Sequence, residues 1–256
     1  MVRITTLTLA SALVTTLGAQ SLTVNVTLEN LGSSGGLYLT PVFTGFHDGS
    51  FDLFDAGSAA SAGLEDVAEI GDTGALDTLF SGNSGVAGIS ANTAAGGPFG
   101  SGDSATFQVT LDATDNRYLS FATMVIPSND TFIGNDNSFE LFDAMGNFIP
   151  LARTYTGAMT YDAGTELNDA MTGPAFVVGQ VGTDGGVEGG VIMLQTDLTA
   201  LDEFIGVGLP VGGTLGSALS SSNLFRISVT AVPEPSMVGS LLGFAVLGFA
   251  IRRRRR

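Results

Sequence analysis

The chain has 256 residues, with 25 acidic and nine basic side chains and a formal net charge of −16. All nine basic residues are arginines, and six of them lie near the two ends, so the central region keeps three arginines against 24 acids, a net of about −21. This charge argues strongly against nucleic-acid binding, which needs basic patches. Cysteine is absent, which excludes disulfides and thiolate sites, and a single histidine excludes a histidine-rich metal centre.

The first 19 residues have the pattern of a secretory signal peptide. Arg3 precedes an apolar stretch from Ile4 to Leu17, and the small residues Gly18 and Ala19 follow it. The alternative is a buried N-terminal helix, which the interspersed Ser and Thr residues disfavour. We therefore predict that the chain is exported.

Strand patterns dominate the exported body. Apolar and polar residues alternate over 22–28, 105–111 and, less strictly, 224–229, while the longer apolar run 118–126 suits a strand covered on both faces. Gly, Asn and Asp separate these runs, as turns require. We expect the first and last strands to lie close together, because both adjoin processed ends of the chain.

Two short helices are expected between the strands. One runs from Ser58 to Ile70, with a single apolar face, and the other covers one or two turns around 75–80. The segment 210–222 is rich in Gly and Ser and is expected to be a loop, and the glycine-rich 182–190 is expected to be a flexible hairpin. These patterns predict an all-β fold: an antiparallel β-sandwich with short helical insertions.

Acidic residues in two loops form the best candidate metal site. Asp130 ends P-S-N-D, and Asp162 and Glu166 lie in D-A-G-T-E, where Gly164 lets the chain fold back so that both carboxylates face one point. Calcium prefers six to eight oxygen ligands of this kind. Clustered loop acids are also common as solvated groups without a ligand. Secondary candidates nearby are Asp136 and Asp169.

A second candidate site lies in the block F-H-D-G-S-F-D-L-F-D-A-G. A histidine beside carboxylates suits general acid–base chemistry. The favoured alternative is structural: the aspartates form turns, the phenylalanines fill the core and the histidine hydrogen-bonds the backbone. The polar residues concerned are His47, Asp48, Asp52 and Asp55.

One nucleophile pattern also occurs. Gly32–Gly36 satisfies G-x-S-x-G, but the hydrolase elbow needs a strand, a turn and then a helix. The residues that follow, 37–43, have a strand pattern instead. We therefore interpret this match as coincidental.

The C-terminus has three parts in a fixed order: V-P-E-P-S at 232–236, an apolar run at 237–251, and five arginines. The run predicts a transmembrane helix, although about 20 residues are usual, and the arginines favour the cytoplasmic side. This order resembles the PEP-CTERM sorting signal of Gram-negative bacteria. The resemblance implies processing by an exosortase, in bacteria that produce exopolysaccharide and form biofilms. A plain single-pass anchor is the alternative.

Four blocks of the body, in order, resemble the bacterial form of the spondin domain. They begin at Thr40 (T-P-V-F-T-G-F-H-D-G-S-F-D-L-F-D-A-G), Ala60 (A-S-A-G-L-E-D-V-A-E), Met124 (M-V-I-P-S-N-D-T-F-I-G-N-D) and Tyr161 (Y-D-A-G-T-E-L-N-D). The resemblance implies a C2-like β-sandwich, an extracellular-matrix or adhesion role and a bound divalent cation, expected to be Ca2+. The positions that match the family's ligands are Asp130, Asp162 and Glu166, the last one methylene longer than the family's aspartate.

These assignments divide the chain into a signal peptide (1–19), a spondin-like domain (20–231) and a sorting signal (232–256). We predict a non-enzymatic, calcium-binding adhesion or matrix module, without catalytic residues, that is anchored briefly in the inner membrane and then passed to the surface or matrix. Exopolysaccharide and other surface proteins are its candidate partners. The alternative is a secreted carbohydrate-active hydrolase with paired carboxylates, which would need one carboxyl group of raised pKa.

Overall fold

The computed structural model describes residues 21–80, 88–90 and 97–233. The predicted signal peptide (1–19) and the predicted transmembrane run (237–251) lie outside these residues. Within the described ranges, no helix is long and apolar enough to cross a membrane.

The described residues contain twelve strands and two α-helices. In chain order they are β1 (Ser21–Asn30), β2 (Tyr38–Leu39), β3 (Phe43–His47), α1 (Ala62–Ile70), α2 (Gly74–Thr78), β4 (Gly88–Ser90), β5 (Ser104–Asp112), β6 (Tyr118–Ile126), β7 (Thr131–Gly134), β8 (Phe139–Glu140), β9 (Leu151–Thr156), β10 (Tyr161–Asp162), β11 (Met193–Leu194) and β12 (Asn223–Ala231).

The smaller sheet has four antiparallel strands in the order β5-β1-β12-β9. Strand β1 lies between β5 and β12, and its Val26 is opposite both Phe107 and Val229. Its alternate residues, such as Val24 and Leu28, are fully buried, because successive side chains of a strand point to opposite faces. The predicted closeness of the first and last strands is confirmed.

The larger sheet follows the order β11-β10-β7-β6-β3-β4, with β2 and β8 also paired to β6. Strand β6 is buried on both faces, as its continuous apolar pattern predicts. Phe121 packs in the core between the two sheets, and the next residue, Ala122, packs in a second core on the other face. The expected all-β antiparallel sandwich is therefore confirmed.

Aromatic rings fill the space between the sheets. Phe121 of the larger sheet meets Tyr155 and Phe225 of the smaller one, with ring centroids 5.4 and 5.5 Å apart. All three side chains are buried. In a chain without tryptophan, these Phe and Tyr contacts are the large aromatic component of a core that is otherwise mostly Val and Leu.

The two helices cover the outer face of the larger sheet. Leu64 and Val67 of α1 are fully buried in the second core, together with Phe132 of β7. Ser61 caps the helix by accepting a hydrogen bond from the Leu64 N–H at 3.3 Å, and Gly71 ends it with a left-handed φ of 68°. The helix therefore begins at Ala62, directly after its cap, and not near residue 58 as expected.

His47 is a core residue of β3. Its side chain is fully buried, and its Nδ1 accepts a hydrogen bond from the Gly49 N–H at 3.1 Å. Nε2 therefore carries the proton of the neutral ring and donates it to the Ser120 hydroxyl, also at 3.1 Å. Asp48 accepts from the Ser50 N–H at 2.9 Å and so forms a turn. These contacts support the structural interpretation of the block, rather than acid–base chemistry.

Burial lowers the pKa of His47, because the charged ring loses hydration in the core. The unfolded chain takes up a proton as pH falls through about 6.5, while the folded chain does not until a lower pH. The stability that the neutral ring contributes is therefore present above pH 6.5 and is lost below it, at up to about 1.4 kcal/mol per pH unit.

We expect the His47 ring to titrate below pH 6.5 in the folded protein. Because the chain has one histidine, a single imidazole signal in an NMR pH titration reports this pKa directly. In His47→Gln the free energy of unfolding should fall less steeply between pH 7 and pH 5 than in the wild type. A ring pKa at or above 6.5, or equal slopes in the two proteins, would contradict the buried neutral assignment.

Candidate metal centre

The pairing of β7 with β10 brings two loop acids together. Asp162 at the end of β10 lies opposite Thr131, the first residue of β7, and Asp130 immediately precedes that strand. The backbone N–H of Ala163 donates to the carbonyl oxygen of Asp130 at 3.3 Å. Strand register therefore places the predicted ligands Asp130 and Asp162 side by side.

The glycine-rich segment 182–190 contributes a third carboxylate, that of Glu188. The Glu188 N–H donates to the Thr165 carbonyl at 2.9 Å, so this segment lies along the loop that follows β10. Gly164 makes the close approach possible: its φ is 68°, and a Cβ there would lie 2.6 Å from the Val191 nitrogen. Carboxylate oxygens of Asp130, Asp162 and Glu188, which we call the acidic triad, all lie within 4.8 Å of one another.

The Asp130 side chain is fully buried, and its two oxygens differ. Oδ2 accepts hydrogen bonds from the N–H groups of Thr165 and Glu166, at 2.9 and 3.1 Å, and from the Thr165 hydroxyl at 3.3 Å. Oδ1 is buried without a hydrogen-bond partner. A buried polar atom left in this state costs free energy. A bound cation would compensate this unpartnered oxygen.

The triad concentrates negative charge. The pKa of Asp130 is raised to about 7, first by burial and then by the nearby charge of Asp162. The pKa of Glu188 is also raised by the same two causes, although its side chain is exposed. A cation among the three groups would favour their ionised forms.

The Asp162 carboxylate is held in place by its own loop. Oδ1 accepts from the Gly164 N–H at 2.8 Å, and Oδ2 accepts from the Asn168 amide at 3.1 Å. Both bonds keep the side chain directed at the loop, without occupying every lone pair of its oxygens. The carboxylate is therefore positioned before any ion arrives.

The carboxylate of Glu166, the third predicted ligand, is not part of the triad. Oε2 accepts from the Asn129 amide at 3.3 Å, and a Cβ on Gly185 would lie only 1.3 Å from Oε1. Its pKa is raised to about 7, first by burial and then by the charge of Glu69. Its backbone N–H donates to Asp130 Oδ2, and the charge of Asp130 contributes a smaller part of the raised pKa. The structure thus groups two of the three predicted residues, Asp130 and Asp162, with Glu188, and the role of Glu166 as a ligand stays a prediction.

The two secondary candidates, Asp136 and Asp169, accept backbone hydrogen bonds within the loops. An oxygen of Asp136 accepts from the Ala56 N–H at 2.8 Å, and an oxygen of Asp169 accepts from the Met171 N–H at 2.8 Å. Neither residue belongs to the triad.

Sequence reasoning missed Glu188 because the residue stands alone among glycines, 22 positions after Glu166. Its only signal is an acid flanked by Gly185-Gly186 and Gly189-Gly190, a pattern equally typical of a solvent-exposed turn. A flexible hairpin was expected over 182–190, but the structure bonds 186–190 to the loop that follows β10, for example through the Glu188 N–H and the Thr165 carbonyl. This long-range approach is not revealed by spacing.

Three carboxylates within 4.8 Å can hold a metal ion. Oxygen donors of this kind suit hard cations such as calcium or magnesium, and one oxygen from each side chain leaves at least three positions for carbonyls, further carboxylate oxygens or water.

Comparisons with known proteins agree with the two resemblances. The family model Spondin_N matches residues 36–179, a segment that contains Asp130, Asp162 and Glu166 but not Glu188. The PEP-CTERM protein-sorting motif matches residues 231–255 and supports export, processing by an exosortase and sorting to the cell surface. No curated protein matches the chain. The chain belongs to the Spondin_N family and ends in a PEP-CTERM sorting motif.

Proposed function

We propose that this protein is a non-enzymatic adhesion or matrix module whose β-sandwich is stabilised by calcium at the acidic triad. The observation that carries the proposal is the buried Asp130 carboxylate, whose Oδ1 has no hydrogen-bond partner and which lies in a group with two further carboxylates. A buried charge of this kind is strongly unfavourable unless a cation or donor compensates it.

The donor chemistry favours calcium over a transition metal. The triad offers only carboxylate oxygens, the chain has no cysteine, and its single histidine is buried in β3 with both ring nitrogens engaged. Zinc sites usually draw on histidine and cysteine, whereas calcium accepts carboxylates, carbonyls and water in flexible geometry. Loop carbonyls or water would fill the remaining ligand positions.

Two glutamates compete for the role of third ligand. Glu188 already lies with Asp130 and Asp162, whereas family resemblance assigns the role to Glu166. We propose Asp130, Asp162 and Glu188 as the carboxylates that bind the ion. Glu166 then supports the site without binding the ion. Its backbone N–H donates to Asp130 Oδ2, and its side chain packs against Gly185.

The hydrolase alternative rests on the raised pKa of Asp130, since a glycosidase needs one protonated carboxyl group at neutral pH. A general acid must also contact the leaving oxygen of its substrate. The side chain of Asp130 is 0% exposed and already accepts three hydrogen bonds. We therefore favour the metal-binding role over catalysis.

The matrix role follows from export together with the acidic surface. With a net charge of about −21, the body repels anionic polymers at long range unless cations bridge them. Calcium would reduce this repulsion locally at the triad. Exopolysaccharide or surface proteins that carry cations or neutral groups are the partners that this charge permits.

We expect calcium to stabilise the protein. At about 100 times its dissociation constant, an ion that binds only the folded state adds about 2.7 kcal/mol to the free energy of unfolding. For a domain of this size the melting temperature should rise by roughly 5–10 °C relative to a sample with chelator. Asp162→Asn and Glu188→Gln should each abolish most of this rise, as measured by thermal melts of the full chain.

Two further variants sharpen the test. Asp184→Asn removes an acid from the same glycine-rich segment but outside the triad, and it should keep the full calcium effect. Asp130→Asn should remove the effect while leaving the chelated protein as stable as the wild type or more stable, because it replaces a poorly compensated buried charge with a neutral group. Loss of the rise in Glu166→Gln but not in Glu188→Gln would return the third-ligand role to Glu166. Equal melting temperatures with calcium and with chelator in the wild type would refute the proposal.

We also expect the C-terminal tail to be only a temporary anchor. Moving an arginine through the bilayer centre costs about 2.5–3.5 kcal/mol on insertion scales, so the five terminal arginines hold the end of the chain inside. Pro233-Glu234-Pro235 would then lie at the outer surface of the inner membrane, open to the exosortase. Mass spectrometry of the surface form should find a C-terminus near this motif, and replacement of the motif by alanines should retain the uncut protein in the inner membrane. If surface protein from a host with an exosortase still carries Arg252–Arg256, this prediction is wrong and the tail is a plain membrane anchor.

A further inference from the structure

A cleft of about 470 Å³ opens at one end of the smaller sheet. It lies where β1 and β9 end and β12 begins, between the loop that follows β1, the residue Gly157 and the segment 216–224. None of its lining residues belongs to the acidic triad. The volume is within the range of small-molecule sites in proteins.

The cleft has an apolar base. Leu37, Leu219 and Leu224 line it, and each of these side chains is at least 92% buried. Ile205, which is 48% exposed, adds an apolar surface at the rim. A ligand that enters can therefore cover the exposed part of Ile205 and the small exposed areas of the leucines, and such apolar contact is the main source of affinity in such sites.

Hydroxyl groups line the opening. The Ser33 and Ser217 hydroxyl oxygens are 2.9 Å apart, so one donates to the other and the pair keeps one free O–H and several lone pairs. The Ser220 hydroxyl accepts from the Ser222 N–H at 3.2 Å and keeps its own proton for another partner. These groups can both donate to and accept from a ligand that carries hydroxyls.

The charges of the cleft exclude anions. Asp202 is the one ionisable residue of its lining, and no arginine or histidine contributes. The chain as a whole has a net charge of −16. An acidic ligand would meet repulsion at every distance and would find no cation to pair with.

Backbone hydrogen bonds fix the loops that form the walls of the cleft. Gly157 donates its N–H to the Ser220 carbonyl at 2.9 Å, and a Cβ at this glycine would lie 2.5 Å from the same oxygen. On the other side, the Gly216 N–H donates to the Gly35 carbonyl at 2.7 Å. Because these contacts fix the loops, a ligand would not have to order them, and less binding energy would be lost to conformational entropy.

We propose that this cleft binds a neutral sugar residue. A sugar ring offers an apolar C–H face for the leucine base and a periphery of hydroxyls that both donate and accept hydrogen bonds, as the serine rim requires. It also carries no negative charge for Asp202 to repel. This inference does not depend on the calcium site, but it rests on the proposed function in one respect, because it names the chemical class through which an exopolysaccharide partner would bind.

The test is a binding titration of the full chain in a zwitterionic detergent that contains no sugar. The probes are D-glucose, D-galactose, D-mannose and N-acetyl-D-glucosamine, each followed by NMR shifts up to about 50 mM, well above a millimolar dissociation constant. At least one should bind saturably and shift the signals of residues in 216–224. D-glucuronic acid, the anionic counterpart of glucose, should bind at least about tenfold more weakly than the best neutral probe.

The double variant Ser33→Ala/Ser217→Ala should bind the best probe about tenfold more weakly than the wild type, because two hydrogen-bonding groups are removed. Ser58→Ala, an exposed serine outside the cleft, is the matched control and should bind as the wild type does. Ser217→Phe should fill the opening and abolish binding, with the NMR spectrum of the remaining chain showing that the fold is kept. Absence of saturable binding by all four probes, equal binding of glucuronic acid, or unchanged binding by the double variant would overturn the proposal.

Discussion

The buried carboxylate of Asp130 is the constraint on which the loops at this edge of the sandwich depend. One of its oxygens accepts three hydrogen bonds from the D-A-G-T-E loop, which ties that loop to the start of β7. The other oxygen has no protein partner. A fully buried acid is rare in a folded core unless something compensates its charge. A bound cation would supply that compensation and would also offset the charge of the two carboxylates that lie within 4.8 Å.

The sandwich and the triad are linked through β6, β7 and β10. Strand β6 carries the ring of Phe121 into the core between the sheets, and β7 carries that of Phe132 into the second core. Tyr161 of β10 stacks on Phe132, with ring centroids 5.5 Å apart, one residue before Asp162. Apolar packing therefore positions the acidic residues, so calcium binding and sheet packing should stabilise each other.

The fold was largely predictable because its strands follow simple rules. Alternation at Val24, Val26 and Leu28 and the continuous run of β6 each correspond to a strand with the expected burial. Part of the site was equally predictable, since Asp130 and Asp162 lie in short motifs with distinctive neighbours. Glu188 was not, because its approach depends on backbone contacts across more than 20 residues, and no local pattern encodes such docking. The orientation of Glu166 likewise depends on the space that Gly185 leaves open.

The central claim is that a cation occupies the position beside Asp130 Oδ1. The most direct test is a crystal structure of the protein grown with calcium, refined at a resolution that separates ions from water. The account predicts an ion about 2.3–2.6 Å from Asp130 Oδ1, with oxygens of Asp162 and Glu188 in the same coordination shell. A structure in which this oxygen is hydrogen-bonded to water or to a protein group, with no cation among the three carboxylates, would contradict it.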